Sequence, residues 1–189
     1  MKGTEKRIVE AAIQLFKEKG YENTSVAEIC KVSHVTKGTF YYHYANKDDL
    51  TFAYYEGLFD DIADTMSDLL FIENAKDQLW RLLEYSIDNT ISLTPPLLKA
   101  FIMSDIQKGM TFFSPYKSTT SSESRKKQHA MQIGLIKKGQ KAGEIKSGNP
   151  EMMLHTFISA LIGIAIDWAS NDGCFDEKEE LRKVFDTIF

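Results

Sequence analysis

Cysteine is nearly absent from this 189-residue chain, which holds only Cys30 and Cys174. The two are far apart in sequence and match no metal-binding or redox spacing, so we expect reduced thiols of the kind found in a cytoplasm. The segment after Met1 also lacks the apolar run of a signal peptide. We therefore expect a cytoplasmic protein.

Proline is equally scarce, with four in the chain, while 43% of residues are hydrophobic and 26% are charged. This composition is typical of a globular chain, here an all-helical one, and excludes a disordered one. The longest apolar stretch, near residues 157–166, is shorter than the roughly 20 residues that a membrane span needs, and its flanks are polar. We expect no membrane partner.

Histidine is too sparse to build a catalytic or metal centre. In the larger C-terminal part the histidines are His129 and His155, and neither has a partner at ligand spacing. The carboxylates at positions 60, 61, 64 and 68 are read as a solvated helix face rather than a metal site. We predict no catalytic residue, no metal and no cofactor, and no enzyme activity.

Positive charge is concentrated at one end of a chain whose net charge is −4. Residues 1–47 hold eight Lys or Arg and five Glu, a balance of +3, so the remainder carries −7. A basic N-terminal part on an acidic body suits a protein that presents one face to phosphates.

The most informative stretch, residues 24–50, predicts two short helices joined by a tight turn. Ser25 and Glu28 have the spacing of a capping box, and Thr36 is placed to cap the second helix. This second helix carries Lys37 and several hydroxyl donors, which suit contacts with phosphates and base edges. A helix, a short turn and a second helix form the motif whose second helix lies in the DNA major groove.

These residues resemble the DNA-binding signature of the TetR family of transcriptional regulators. The matching segments are Thr24–Val26, Ile29–Cys30, Val35–Tyr41 with Tyr44, and Lys47–Leu50, preceded by a similar first helix over residues 4–19. The chain departs at Cys30, where the family usually has alanine, and at His34, where it usually has glycine. His34 must therefore adopt a turn conformation that glycine adopts easily.

The resemblance implies an all-α fold with a helix-turn-helix head at residues 1–47. A larger helical body, residues 48–189, would bind ligand and form a homodimer. The resemblance also implies a transcriptional regulator, most simply a repressor. Such a repressor would bind a palindromic double-stranded DNA operator, and a small-molecule inducer of unknown identity would release it. A helical-bundle enzyme and a ligand-independent DNA-binding regulator remain as alternatives. The residues expected to contact DNA are Thr24, Ser25, Val26, Thr36, Lys37, Gly38, Thr39, Tyr41, Tyr42, His43 and Lys47.

In the body, apolar periodicity predicts helices over about 47–70, 75–93, 97–108, 124–142 and 151–170, a loop over 110–122, and a last helix after Asp176. The helix at 151–170 is apolar all round and must therefore be covered on all sides. The aromatic and methionine residues expected to line a ligand pocket are Trp80, Tyr85, Phe101, Met103, Phe112, Phe113 and Trp168. The residues expected at the dimer interface are Phe157, Leu161, Ile162, Ile164, Ala165, Leu181 and Phe185.

Overall fold

A computed structural model describes residues 3–58, 69–91, 93–107 and 123–189, and in these ranges it contains nine helices and no strand. The expected all-α fold is confirmed. The expected loop at 110–122, with Phe112 and Phe113, and the carboxylates at 60, 61, 64 and 68 lie outside the described residues. The helices are α1 Thr4–Lys19, α2 Val26–Val32, α3 Lys37–His43, α4 Asp48–Leu58, α5 Ala75–Ile91, α6 Pro95–Gln107, α7 Glu123–Ala142, α8 Pro150–Ser170 and α9 Glu177–Ile188.

The first helix occupies the range that its sequence predicts. Its apolar stripe, which includes Ile8, Ala12 and Phe16, is buried, and its polar residues face solvent. The helix ends at Gly20, whose φ of +87° is a conformation that glycine adopts without strain. The Gly20 amide donates to the Phe16 carbonyl, so the last turn is closed.

One buried cluster joins the head to the body, and we call it the junction cluster. It extends from Ile8 and Phe40 in the head through Leu50 on α4 to Phe101 on α6 and Trp168 on α8. Helix α4 packs against both α1 and α6. Close-packed side chains thus connect α6 to the head. The division at residue 47 remains a prediction, although the packing does not break there.

A second cluster, the body cluster, fills the space between α5, α7, α8 and α9. It includes Leu83, Ile136, Phe157 and Phe185, and the last residue, Phe189, packs into it. Lys146, in the turn before α8, donates to the carbonyls of Asp186 at 3.3 Å and Thr187 at 2.6 Å. These bonds satisfy carbonyls at the end of α9 that no helical amide reaches. The C-terminal helix is thereby fixed to the α7–α8 turn.

Helix α8 begins with Pro150 after Asn149, whose side chain accepts from the amides of Glu151 and Met152. The single chain covers this helix only in part, with 28% of its most apolar 18-residue stretch buried, so one chain alone does not supply the cover expected on all sides. The 21-residue helix as a whole is long and apolar enough to cross a membrane by length and composition, although its uninterrupted apolar stretch, near residues 157–166, is shorter than a span needs. Much of an apolar helix thus remains uncovered in the single chain.

Candidate nucleic-acid interface

The start of α2 is fixed by the capping box that the sequence predicts. The Glu28 amide donates to Ser25 Oγ at 3.3 Å, and the Ser25 amide donates to Glu28 Oε2 at 3.0 Å. Lys19, at the end of α1, lies 2.7 Å from Glu28 Oε1. The hydrogen bond from Lys19, followed by those from the amide and hydroxyl of Ser25, lowers the pKa of Glu28 to about 2. Glu28 therefore stays ionised and connects α2 to α1.

The turn between α2 and α3 adopts the conformation that glycine favours. His34 has a φ of +54°, which histidine visits more readily than most side chains. Before it, Ser33 is buried and its hydroxyl donates to the Ile29 carbonyl at 2.7 Å. The substitution of histidine at this turn is accommodated, and the helix-turn-helix geometry is kept.

Helix α3 is held by one cap and one buried ring. Thr36 Oγ1 accepts from the Thr39 amide at 3.1 Å, as predicted. Phe40 is completely buried, and its ring contacts those of Tyr41 and Tyr44. Because this seven-residue helix has one buried side chain, its other faces are available to a ligand.

The exposed surface of α3 carries the side chains that a DNA contact requires, and we call it the reading face. Tyr42 is 84% exposed and Tyr41 is 56% exposed, unusually high values for aromatic side chains. Thr36, Lys37 and Gly38 are also exposed and lie beside them at the start of the helix. A cation, hydroxyl groups and an open backbone are thus presented together to solvent.

Four of the residues expected to contact DNA also make contacts within the head. Thr24 is 3% exposed, and its hydroxyl donates to the Gly20 carbonyl at 2.9 Å. Val26 packs against the junction cluster. His43 Nδ1 lies 3.3 Å from Glu5 Oε1 on α1. Lys47 Nζ donates to the Tyr21 carbonyl at 2.8 Å, and it lies 4.2 Å from the centre of the Tyr21 ring.

Two features of this surface were not predicted from the sequence: the exposure of Val32, and the contacts that join α2 and α3 to α1. Val32, at the end of α2, is 42% exposed, and Lys31 beside it is exposed. The Lys19–Glu28 ion pair and the His43–Glu5 contact tie α2 and α3 to α1, but the partners are too distant in sequence for a local pattern to reveal them. Val32 does not fit the helical spacing of the buried residues of α2, and this mismatch is the sequence signal that indicates its exposure.

The residues expected to line one ligand pocket are divided between the two clusters. Phe101 and Trp168 lie in the junction cluster, whereas Trp80 packs against Phe185 in the body cluster, with ring centres 5.1 Å apart. Tyr85 is half-buried on α5. Met103 is 54% exposed, so it does not line an interior cavity in the single chain.

The residues expected at the dimer interface fall into two groups, one partly exposed and one buried. Leu161, Ile162 and Ile164 are partly exposed and remain accessible to a partner. The other four are buried in their own chain, namely Phe157, Ala165, Leu181 and Phe185. The structure instead exposes a different set on α8, including Met152 at 58% and Ile166 at 41%.

The structure gives one body histidine a partner that is distant in sequence. His129 Nε2 lies 3.2 Å from Glu151 Oε2, because α7 and α8 bring the two together across the chain turn. Across the described ranges, no three side chains of His, Cys, Asp or Glu are grouped to hold a metal ion. The pair is a surface contact between two packed helices.

The head matches a known family over most of its length. Residues 8–54 match the family described as bacterial regulatory proteins, tetR family, a range that contains α2, α3 and the reading face. Residues 8–54 are a TetR-family DNA-binding domain. The match continues into α4, as the shared junction cluster suggests it should.

Relatives and solved structures agree with this assignment. The TetC protein of transposon Tn10 from Escherichia coli is 38% identical over 98 residues, half of each chain. The biofilm operon negative regulator IcaR of Staphylococcus epidermidis is 43% identical over 44 residues, 23% of this chain and 24% of its own. FadR of Thermus thermophilus, solved with lauroyl-CoA, is 20% identical, with a TM-score of 0.66 over 97% of this chain and 92% of its own. FadR of Bacillus halodurans has a TM-score of 0.68 at 19% identity, covering 100% and 96%. These two structures show a shared fold over almost the whole chain.

Proposed function

We propose that this chain is a cytoplasmic transcriptional regulator that binds a palindromic DNA operator as a homodimer and is released from it by a small molecule. The observation that carries the proposal is the reading face of α3, in a head that matches the family model. Because Tyr41 and Tyr42 are largely exposed, contact with a nucleic acid gives their hydroxyl groups a role. IcaR, named as a negative regulator, supports repression as the mode of action.

The homodimer is supported by a seam of exposed residues along α8. Met152, Ser159, Gly163 and Ile166 are exposed, and their spacing of seven, four and three residues places them on one face. A Cβ atom added to Gly163 would meet nothing within 4 Å. Small residues between apolar ones allow a second helix to approach closely. We name these four residues the pairing seam and propose that it packs against the same seam of a second copy.

The small-molecule response is supported by polar side chains inside the body. Ser104 and Asp105 on α6, and Gln128 and Gln132 on α7, are all buried. Helices α6 and α7 both pack on α8. Solved neighbours contain lauroyl-CoA, stearoyl-CoA and choline, so this fold holds ligands of different chemistry. We propose that the ligand of this chain binds between α6 and α7 and acts on the head through α4 and the junction cluster.

Ligand and operator should each lower the affinity of the protein for the other by the same factor, because the coupling between two binding sites is reciprocal. A coupling of about 1–3 kcal/mol is typical, so saturating operator should weaken ligand binding about 5- to 150-fold. Calorimetric titration of a ligand found by thermal-shift screening, with and without operator, measures this. Equal affinities in the two titrations would leave a DNA-binding regulator that no ligand controls, the alternative reading of the family resemblance.

A further inference from the structure

Glu177, the first residue of α9, is a buried carboxyl that the proposed function does not use. It is 2% exposed, and within the described ranges neither of its oxygens has a hydrogen-bond partner. The cap of α9 is its neighbour Asp176, whose side chain accepts from the Glu179 amide at 3.0 Å. Buried carboxyl groups are normally hydrogen-bonded, so this one requires an explanation.

The position of Glu177 follows from the residues beside it. Leu181, one turn later on the same face of α9, is buried in the body cluster with Ile87 of α5. Lys178 Nζ lies 2.8 Å from Glu84 and 3.1 Å from Asp88, and these contacts hold the first turn of α9 against α5. Helix α9 also packs on α8, so the buried Glu177 carboxyl lies in the first turn of a helix that contacts both α5 and α8.

The charged neighbours of Glu177 on its own helix are engaged elsewhere. Asp176 caps α9, and Lys178 is bound to Glu84 and Asp88 of α5. On α8, Asp167 accepts from the Asn171 side chain at 2.9 Å. Burial raises the pKa of Glu177 to about 7.

We propose that the proton on Glu177 is a switch on dimerisation: the neutral side chain keeps α9 packed against α5 and α8, and its ionisation loosens the helices that carry the pairing seam. The proposal rests on the homodimer of the proposed function. An ionised carboxylate cannot remain unpaired in an apolar site, so the first turn of α9 must move toward water. Helix α8, which α9 covers on one side, then loses part of its support.

The direction of the pH effect follows from the two states. In the unfolded chain the carboxyl loses its proton near pH 4.5, whereas in the folded chain it keeps it until about pH 7. Between these values the folded chain binds more protons, so its stability falls as pH rises, and it is lowest above pH 7. Each pH unit changes the unfolding constant by up to about tenfold.

Sedimentation equilibrium of the full chain at pH 6 and pH 8 tests the switch. The dimer dissociation constant of the wild type should rise about tenfold or more from pH 6 to pH 8, since ionisation of Glu177 accompanies dissociation. Glu177→Gln should remove this rise, and Glu177→Met serves in its place if the amide variant is unfolded by circular dichroism. Glu179→Gln, which removes one exposed charge two residues away, should behave like the wild type.

Three outcomes would contradict the account, two of them the switch alone and the third the homodimer as well. A pH dependence that persists unchanged in Glu177→Gln would assign the effect to another group, such as His155 on α8, and would overturn the switch. A wild-type dimer whose dissociation constant does not change with pH would also overturn it. A wild type that is monomeric at both pH values would overturn the homodimer itself, and the switch with it.

Discussion

Gly163→Arg should leave the chain folded but monomeric, and it should abolish operator binding although the head is unchanged. Gly163 lies at the middle of the pairing seam, where an added side chain meets nothing in its own chain. In a dimer the arginine would place an unpaired charge in an apolar interface, which costs several kcal/mol. Circular dichroism, sedimentation and a gel shift on one preparation measure the three properties together.

A matched control exists on α7. Gly134 is also an exposed glycine inside a helix, and a Cβ added there meets nothing within 4 Å. Gly134→Arg makes the same change in charge, volume and helix propensity outside the pairing seam. It should remain dimeric and bind operator as the wild type does. If both variants dimerise equally well, the seam is not the interface.

Lys37→Glu should weaken operator binding about 100-fold. Lys37 is exposed at the start of α3, on the reading face, where a cation can contact a phosphate or a guanine edge. One such contact contributes about 1–3 kcal/mol, and charge reversal adds repulsion from the DNA backbone. Fluorescence anisotropy at several salt concentrations measures both the affinity and its salt dependence, and the slope should fall by about one.

The control for charge is Lys141→Glu at the exposed end of α7, which changes the net charge by the same amount. Its effect on operator affinity should be several-fold at most, because exposed charges beyond one Debye length, about 8 Å at physiological salt, are screened. Equal losses in the two variants would mean that the net charge of the chain, rather than the reading face, governs binding.

Local patterns predicted the head because its structure is largely local. Ser25 with Glu28, and Thr36 with Thr39, are three residues apart, so their capping bonds can be read from spacing alone. The left-handed turn at His34 was predicted from the family resemblance, since the family usually has glycine at that position. Apolar periodicity also placed the body helices to within one or two residues of their observed ends, where their ends are described.

The contacts that the sequence did not reveal join residues distant along the chain. Thr24 and Lys47 are polar residues in a DNA-binding motif, yet their hydrogen bonds to Gly20 and Tyr21 direct them into the head. Helix α8 is apolar on every face, so periodicity cannot distinguish buried Phe157 from exposed Ile166. Glu177 illustrates the same limit, since acidic residues at a helix start are ordinarily exposed.

The measurement that tests the central claim most directly is selection of binding sites by the full chain from a random duplex library, followed by sequencing. The account predicts enrichment of an inverted repeat whose half-sites are centred about 34–36 Å apart, or farther if the DNA is distorted. Enrichment should disappear with Lys37→Glu and with Gly163→Arg. Wild-type protein that enriches no sequence, or only an unpaired half-site, would contradict a dimeric operator-binding regulator.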